Sequence, residues 1–208
     1  MRAKPQVMKF GGTSVGDAEC IRRAALIIAT AARDGAVVAV VSAMSGVTNR
    51  LIAAARQSAA GDESASKDIA GALLQQHTAA IAALIKDETR RAQLTTEMEQ
   101  IVGEVAGFCR GIALLRELTP RTLAAISSAG ERLSARLLAR TLLESGVNSE
   151  AVEATEVIVT DDEYGQAEPL MDRTRERAAA HLLPLIADGI TPVVTGFIGA
   201  TPEGTLTT

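Results

Sequence analysis

Apolar residues in this chain fall into two patterns. Short continuous runs rich in Val and Ile, each bounded by Gly or Pro, occupy 7–10, 36–41, 157–159 and 192–195, with a weaker run at 150–153. Runs of this length without polar alternation predict strands buried on both faces, as in a parallel sheet. Between the first two, Ile21, Ala24, Ala25, Ile28 and Ala32 share one face of a helix over about 17–33, closed by Asp34-Gly35. Strand, helix, strand within the first 42 residues is a βαβ unit, which predicts a parallel sheet covered by helices.

The middle of the chain carries only helical spacing. Ile69, Leu73, Ile81, Leu84 and Ile85 form one series. Leu94, Met98, Ile101, Val105, Phe108, Ile112 and Leu115 form a second, and Lys86-Asp87-Glu88 marks the turn between them. The segment 64–118 therefore reads as a helical subdomain inserted in the sheet's crossover, or as a face that binds a partner. Thr119-Pro120 punctuates; further helices are expected over 130–144, ended by Gly146, and over 171–187, ended by Gly189. The final stretch predicts a hairpin turning at Pro202-Glu203-Gly204 with a returning arm of four residues, which reads as truncation in mid-hairpin.

Composition narrows the classes. Three Phe, one Tyr and no Trp among 208 residues leave few rings for stacking bases or sugars, and a net charge of −4 offers no footprint for a polyanion. Nucleic acid is therefore not an expected partner. Nor is a membrane: no apolar stretch approaches the roughly 20 residues of a bilayer span, and residues 1–8 lack the apolar core of a secretory signal. Cys20 and Cys109 stand alone without metal spacing, which predicts two buried thiols in a reducing cytosol.

Candidate chemistry lies where strands end. Lys9 precedes Gly11 and Gly12 at the end of the first strand, and glycines between a strand and a helix let backbone approach an anion. The spacing is neither the dinucleotide fingerprint nor a P-loop, since Thr13 and Asp17-Ala18 stand where those motifs need Gly and Lys-Ser/Thr. Lys9 is either a phosphate ligand or an edge-strand lysine reaching solvent. Ser42, Ser45 and Thr48 crowd hydroxyls after the second strand, at the edge where open α/β sheets bind ligands, or they cap the helix that follows. Glu131 stands three residues after Ser128; it completes a capping box or aims a carboxylate into the cleft at a substrate ammonium. The acidic turn 160–165 reads as a solvated loop, and His77 and His181 as structural. No metal-ligand set is expected.

Six segments together resemble the aspartokinase family of the amino-acid kinase superfamily: VMKFGGTSVG (7–16), VVSAMSGVTN (40–49), ELTPRT (117–122), SSAGERLSARLL (127–138), TDDEYGQAEP (160–169) and PVVTGFIGATPEG (192–204). The resemblance implies a three-layer α/β/α fold with a mainly parallel sheet. It implies transfer of the ATP γ-phosphoryl to the β-carboxylate of L-aspartate, with Mg²⁺, in a cytoplasmic homo-oligomer such as a dimer. By the same resemblance Lys9 neutralises the transferring group, and Gly11 and Gly12 lie beneath the phosphates. Ser42, Thr48 and Tyr164 line the aspartate site, and Glu131 receives the substrate amine. The family continues past such a hairpin into a Gly-Arg-Gly-Gly-Ser-Asp motif and most of its nucleotide site, so the 208 residues are expected to be the aspartate-side half, with little activity alone. Two rivals are another amino-acid kinase, acting on acetylglutamate, glutamate or uridylate, and a non-catalytic assembly module built on 64–118.

Overall fold

The computed structural model describes residues 4–208. Four parallel strands form the sheet: β1 (Gln6–Phe10), β2 (Val37–Val41), β3 (Ser149–Val152) and β4 (Thr191–Thr195), in spatial order β1-β2-β4-β3. Lys9 pairs with Val40, and Val40 with Val194, so the carboxyl ends of β1, β2 and β4 finish level with one another. This alignment creates the ledge on which the candidate site is built.

Seven α-helices accompany the sheet among the described residues: α1 (Ala18–Asp34), α2 (Val47–Ala59), α3 (Ala65–Leu84), α4 (Glu88–Leu115), α5 (Pro120–Ser127), α6 (Ala129–Glu144) and α7 (Met171–Ala187). Strand alternation divides them into layers. Phe10, Val37, Ala39, Val41 and Val193 face the larger core, where they meet Ile21 and Ile28 of α1 and Leu133 and Leu137 of α6. Val38, Val194 and Val152 face the other way, onto Leu182, Leu185 and Ile186 of α7. The architecture is α/β/α. Leu73 and Ile81 of α3 and Met98 and Ile101 of α4 belong to that same larger core, so the long helical pair shares its buried surface with the sheet. Truncating a fully buried residue there, such as Leu133, costs about 2–5 kcal/mol. Among the described residues no helix is long and apolar enough to cross a membrane.

Two readings of the sequence need correction. The run 157–159 is buried but is not a strand of the sheet: it leaves a 3-10 turn (Ala154–Glu156), Ile158 N–H bonds back to Ala154 O, and Val159 forms only an isolated bridge to Ala200. Val157 and Ile158 pack into the second core, so their burial mimics a strand's while their backbone turns. The edge place belongs to Ser149–Val152, where the polar Glu150 faces solvent. A helix unforeseen in the sequence, α5, follows the punctuation at 119–120. There Thr119 caps the helix by accepting from Thr122 N–H at 3.1 Å, and Pro120 occupies the first turn, where a missing N–H costs nothing. The C-terminal hairpin is present as β5 (Gly199–Ala200) and β6 (Leu206–Thr207), turning through Gly204 at φ 87°.

Candidate active site

The carboxyl ends of three strands are stitched together beyond their last residues. Ser42 N–H donates to Phe10 O at 3.0 Å, and Gly196 N–H donates to Val41 O at 2.7 Å. A Cβ on Gly196 would lie 2.9 Å from that same carbonyl, so only glycine allows β4 to approach this closely. Onto this ledge come the glycine loop after β1, the 42–46 segment after β2, the 196–198 segment after β4 and the first turn of α6.

Glu131 is the chemical centre of the cluster. Its residue is only 6 % exposed, and its Oε1 accepts from Ala43 N–H at 3.3 Å. Burial pushes its pKa up to about 7; its own backbone N–H, that of Ala43 and Ser42 oppose the rise without cancelling it. What aims the side chain is the residue before it. A Cβ on Gly130 would stand 2.7 Å from Ala43 Cβ and 3.1 Å from Val47 Cγ1, so the glycine lets α6 sit directly on the segment after β2. The capping-box alternative fails. A side chain that caps needs an extended backbone, but Ser128 is helical at φ −63° because α5 runs into α6, and its hydroxyl donates to Ala125 O instead. Ser128 N–H itself donates to Ala124 O at 3.0 Å, so Glu131 does not complete a capping box.

The capping alternative for Ser45 and Thr48 fails as well. Gly46, left-handed at φ 77°, holds the cap position of α2, and no side-chain hydroxyl bonds the helix's free N–H groups. Thr48 is half-buried one residue into α2, close in sequence to the ledge.

Lys9 is exposed on the edge strand, and its ammonium stands 5.0 Å from the centroid of the Phe197 ring. The loop after it is a tight turn, Ser14 N–H bonding Gly11 O at 2.8 Å. Gly12 packs against the second loop: a Cβ there would be 3.3 Å from Ala43 O. The expected helix-terminus anion site takes a different form. α1 begins only at Ala18, and Asp17 already caps it by accepting from Cys20 N–H at 2.8 Å, which holds the Asp17 carboxyl below its usual range. The tight turn at residues 11–14 therefore stands between the end of β1 and the capped start of α1.

Lys9, Gly11, Gly12, Ser42 and Glu131 therefore share one ledge. Tyr164 does not join it by any hydrogen bond among the described residues. It is half-buried in the turn 161–168, where Asp161 accepts from Glu168 N–H and the loop leans on the C-terminal hairpin through Ala167 N–H to Thr208 O. Three members escaped the sequence: the Ala43 N–H, the close-packed Gly130, and Phe197, a bulky residue at φ 54° and 70 % exposed. Only Phe197 left a signal, as an aromatic between two glycines in a chain with four rings.

Other candidates sit elsewhere. His77 is buried in α3, its Nδ1 donating to Leu73 O at 2.8 Å, and burial holds its pKa below the ordinary value. His181 is exposed on α7. Cys109 is buried, but Cys20 is half-exposed, against expectation, because the first turn of α1 leaves it beside Arg23 rather than in the core. A hollow of about 520 Å³ lies at the opposite, amino edge of the sheet, lined by Arg33, Gly35, Asn148 and Thr191, away from these groups.

The profile of the amino acid kinase family matches residues 4–208. The chain is 32% identical over 206 residues to lysine-sensitive aspartokinase 3 of Escherichia coli K12, covering 97% of this chain and 42% of that protein. It is 32% identical over 197 residues to aspartokinase 1, chloroplastic, of Arabidopsis thaliana, covering 93% of this chain and 33% of the relative. Its backbone superposes on E. coli aspartokinase III in complex with aspartate and ADP with a TM-score of 0.87 at 29% identity, over 99% of this chain and 43% of the other. The chain thus spans less than half the length of these relatives. A parallel α/β/α sheet whose glycine loop and buried glutamate meet at its carboxyl edge, matched over nearly all of the chain, places it in the amino acid kinase family.

Proposed function

We propose that this chain forms the acceptor-binding half of an aspartate kinase, which moves the γ-phosphoryl of ATP to the β-carboxylate of L-aspartate and yields 4-phospho-L-aspartate. The observation that carries the reading is the buried Glu131 carboxyl, held on Ala43 N–H beside the strand ends at which β1 carries Lys9. A carboxylate in a dry site is costly unless a cation meets it, and a substrate ammonium supplies that cation. Ser42 and Thr48 then contact the substrate carboxylates, and Tyr164 closes the pocket from the 161–168 turn. Such a site fixes the acceptor by its amine and leaves the β-carboxylate free to face Lys9.

The residues fit a triphosphate on one side. Gly11 and Gly12 present backbone without side chains, and Lys9 offers a charge that no carboxylate neutralises among the described residues. Phosphoryl transfer needs alignment and charge neutralisation more than covalent help from protein, and these residues supply both. For Mg²⁺ the fit is poor: among the described residues no group of three His, Cys, Asp or Glu side chains converges, so no step is assigned to this chain through the ion. Mg²⁺ belongs in this reading with the ATP phosphates. The reading also makes the enzyme cytoplasmic and a homo-oligomer, a dimer, in a polypeptide of its relatives' length. The 208 residues alone are then expected to turn over little.

Calorimetric titration separates this reading from other acceptors of the family. L-Aspartate is expected to bind the chain more tightly than L-glutamate, N-acetyl-L-glutamate or UMP. Binding of one of those three with no response to L-aspartate would refute it.

A further inference from the structure

We propose that Phe197 is a positioning residue for Lys9: the face of its ring holds the Lys9 ammonium at the carboxyl edge of β1 while leaving its charge intact. The proposal rests on the reading of Lys9 as the phosphate-side cation. It starts from a strained backbone. Phe197 has φ 54°, a region where bulky residues are outliers and where glycine pays nothing. Glycines stand nearby at 196 and 199, but close contacts explain both: a Cβ would lie 2.9 Å from Val41 O at the first and 2.6 Å from Thr160 Cγ2 at the second. The position whose φ favours glycine instead carries the largest side chain of the segment.

That side chain is not buried in return. The residue is 70 % exposed, while the next, Ile198, turns inward to join Val38 and Val194. What the ring touches is Lys9, whose Nζ lies 5.0 Å from the centroid, inside the roughly 6 Å reach of a cation–π contact. Among the described residues no carboxylate stands within ion-pair distance of Lys9; the ion pairs run between arginines and acids elsewhere. The distinction matters for a residue that must meet a phosphate. A carboxylate partner would fix Lys9 but neutralise it and repel the ligand. A ring restrains the flexible four-carbon stem, lowering the entropy lost on binding, and brings no negative charge. Strain of this kind persists where surrounding structure enforces it, here through Gly196 N–H on Val41 O and the buried Ile198.

The chain has four lysines, which makes the test direct. Reductive methylation with ¹³C-formaldehyde labels their amines and keeps their charge. The Lys9 resonance, assigned with Lys9→Arg, is expected upfield of the other three through the ring current of Phe197. Phe197→Leu should return it to the common position, and Phe197→Tyr should preserve it. Pyrophosphate is expected to shift the Lys9 signal and to bind Phe197→Leu about two- to fivefold more weakly than the parent or the Tyr variant. A Lys9 signal that coincides with the others in the parent chain, or an upfield shift that survives Phe197→Leu, overturns the proposal. A shift that Phe197→Leu abolishes, with no response to pyrophosphate in any of the proteins, supports the contact and overturns the phosphate reading beneath it.

Discussion

Replacing Glu131 by Gln should stabilise the protein strongly at pH 8 and far less at pH 5. Gln keeps the shape and the oxygen that accepts from Ala43 N–H at 3.3 Å, but it cannot ionise. In the folded chain the Glu131 carboxyl titrates at about 7 because burial penalises its charge, against 4.5 for the ordinary group. Below pH 4.5 both states are protonated and burial costs no charge. Between 4.5 and about 7 the unfolded chain has released a proton that the folded one still holds, so stability falls as pH rises; above 7 the loss levels off. The gap between the two values corresponds to about 3 kcal/mol as an upper bound. For a domain of this size that is roughly 6–12 °C in Tm. Thermal melts of the parent and Glu131→Gln at pH 5 and pH 8 measure it. The difference between the proteins should favour Gln at pH 8 and fall to about a quarter of that at pH 5. An equal difference at both pH values would mean that Glu131 titrates normally, and the desolvated site would be wrong.

Other consequences are equally open to measurement. If Glu131 must be ionised to hold an ammonium, L-aspartate affinity should rise about tenfold between pH 6 and pH 8, with proton release on binding near pH 6.5; calorimetry in buffers of different ionisation enthalpy reads both. Gly130→Ala should cost about 1–3 kcal/mol in urea denaturation, since its methyl meets Ala43 Cβ at 2.7 Å, and should weaken aspartate binding by moving Glu131. Ser128→Ala should cost less than about 0.5 kcal/mol, because its hydroxyl caps nothing, whereas Thr119→Ala should cost about 1 kcal/mol through the lost cap on α5. Lys9→Ala should leave Tm within about a degree, as an exposed surface change, while weakening pyrophosphate binding.

Much of this was legible in the chain, and the exceptions have physical causes. The β1-α1-β2 unit announces itself because Val-rich runs buried on both faces lack alternation and glycines bound them. The run 157–159 carries the same signal for a different reason: Val157 and Ile158 pack into the second core while the backbone turns, which composition does not register. Glu131 was visible as a residue with two roles. What decides between them is the helical φ of Ser128, and that depends on α5 running into α6, a junction of two helices rather than a property of the four residues. The contact of Lys9 with Phe197 joins residues 188 positions apart and depends on one positive φ, so no local pattern could show it.

The central claim, that Glu131 is the receptor for a substrate amine, is tested most directly with succinate, which is aspartate without that amine. Calorimetric titration of L-aspartate and succinate into the parent chain and Glu131→Gln should show a clear preference for aspartate in the parent and none in the variant. Equal binding of the two ligands to the parent, or a preference that Glu131→Gln leaves intact, would contradict it.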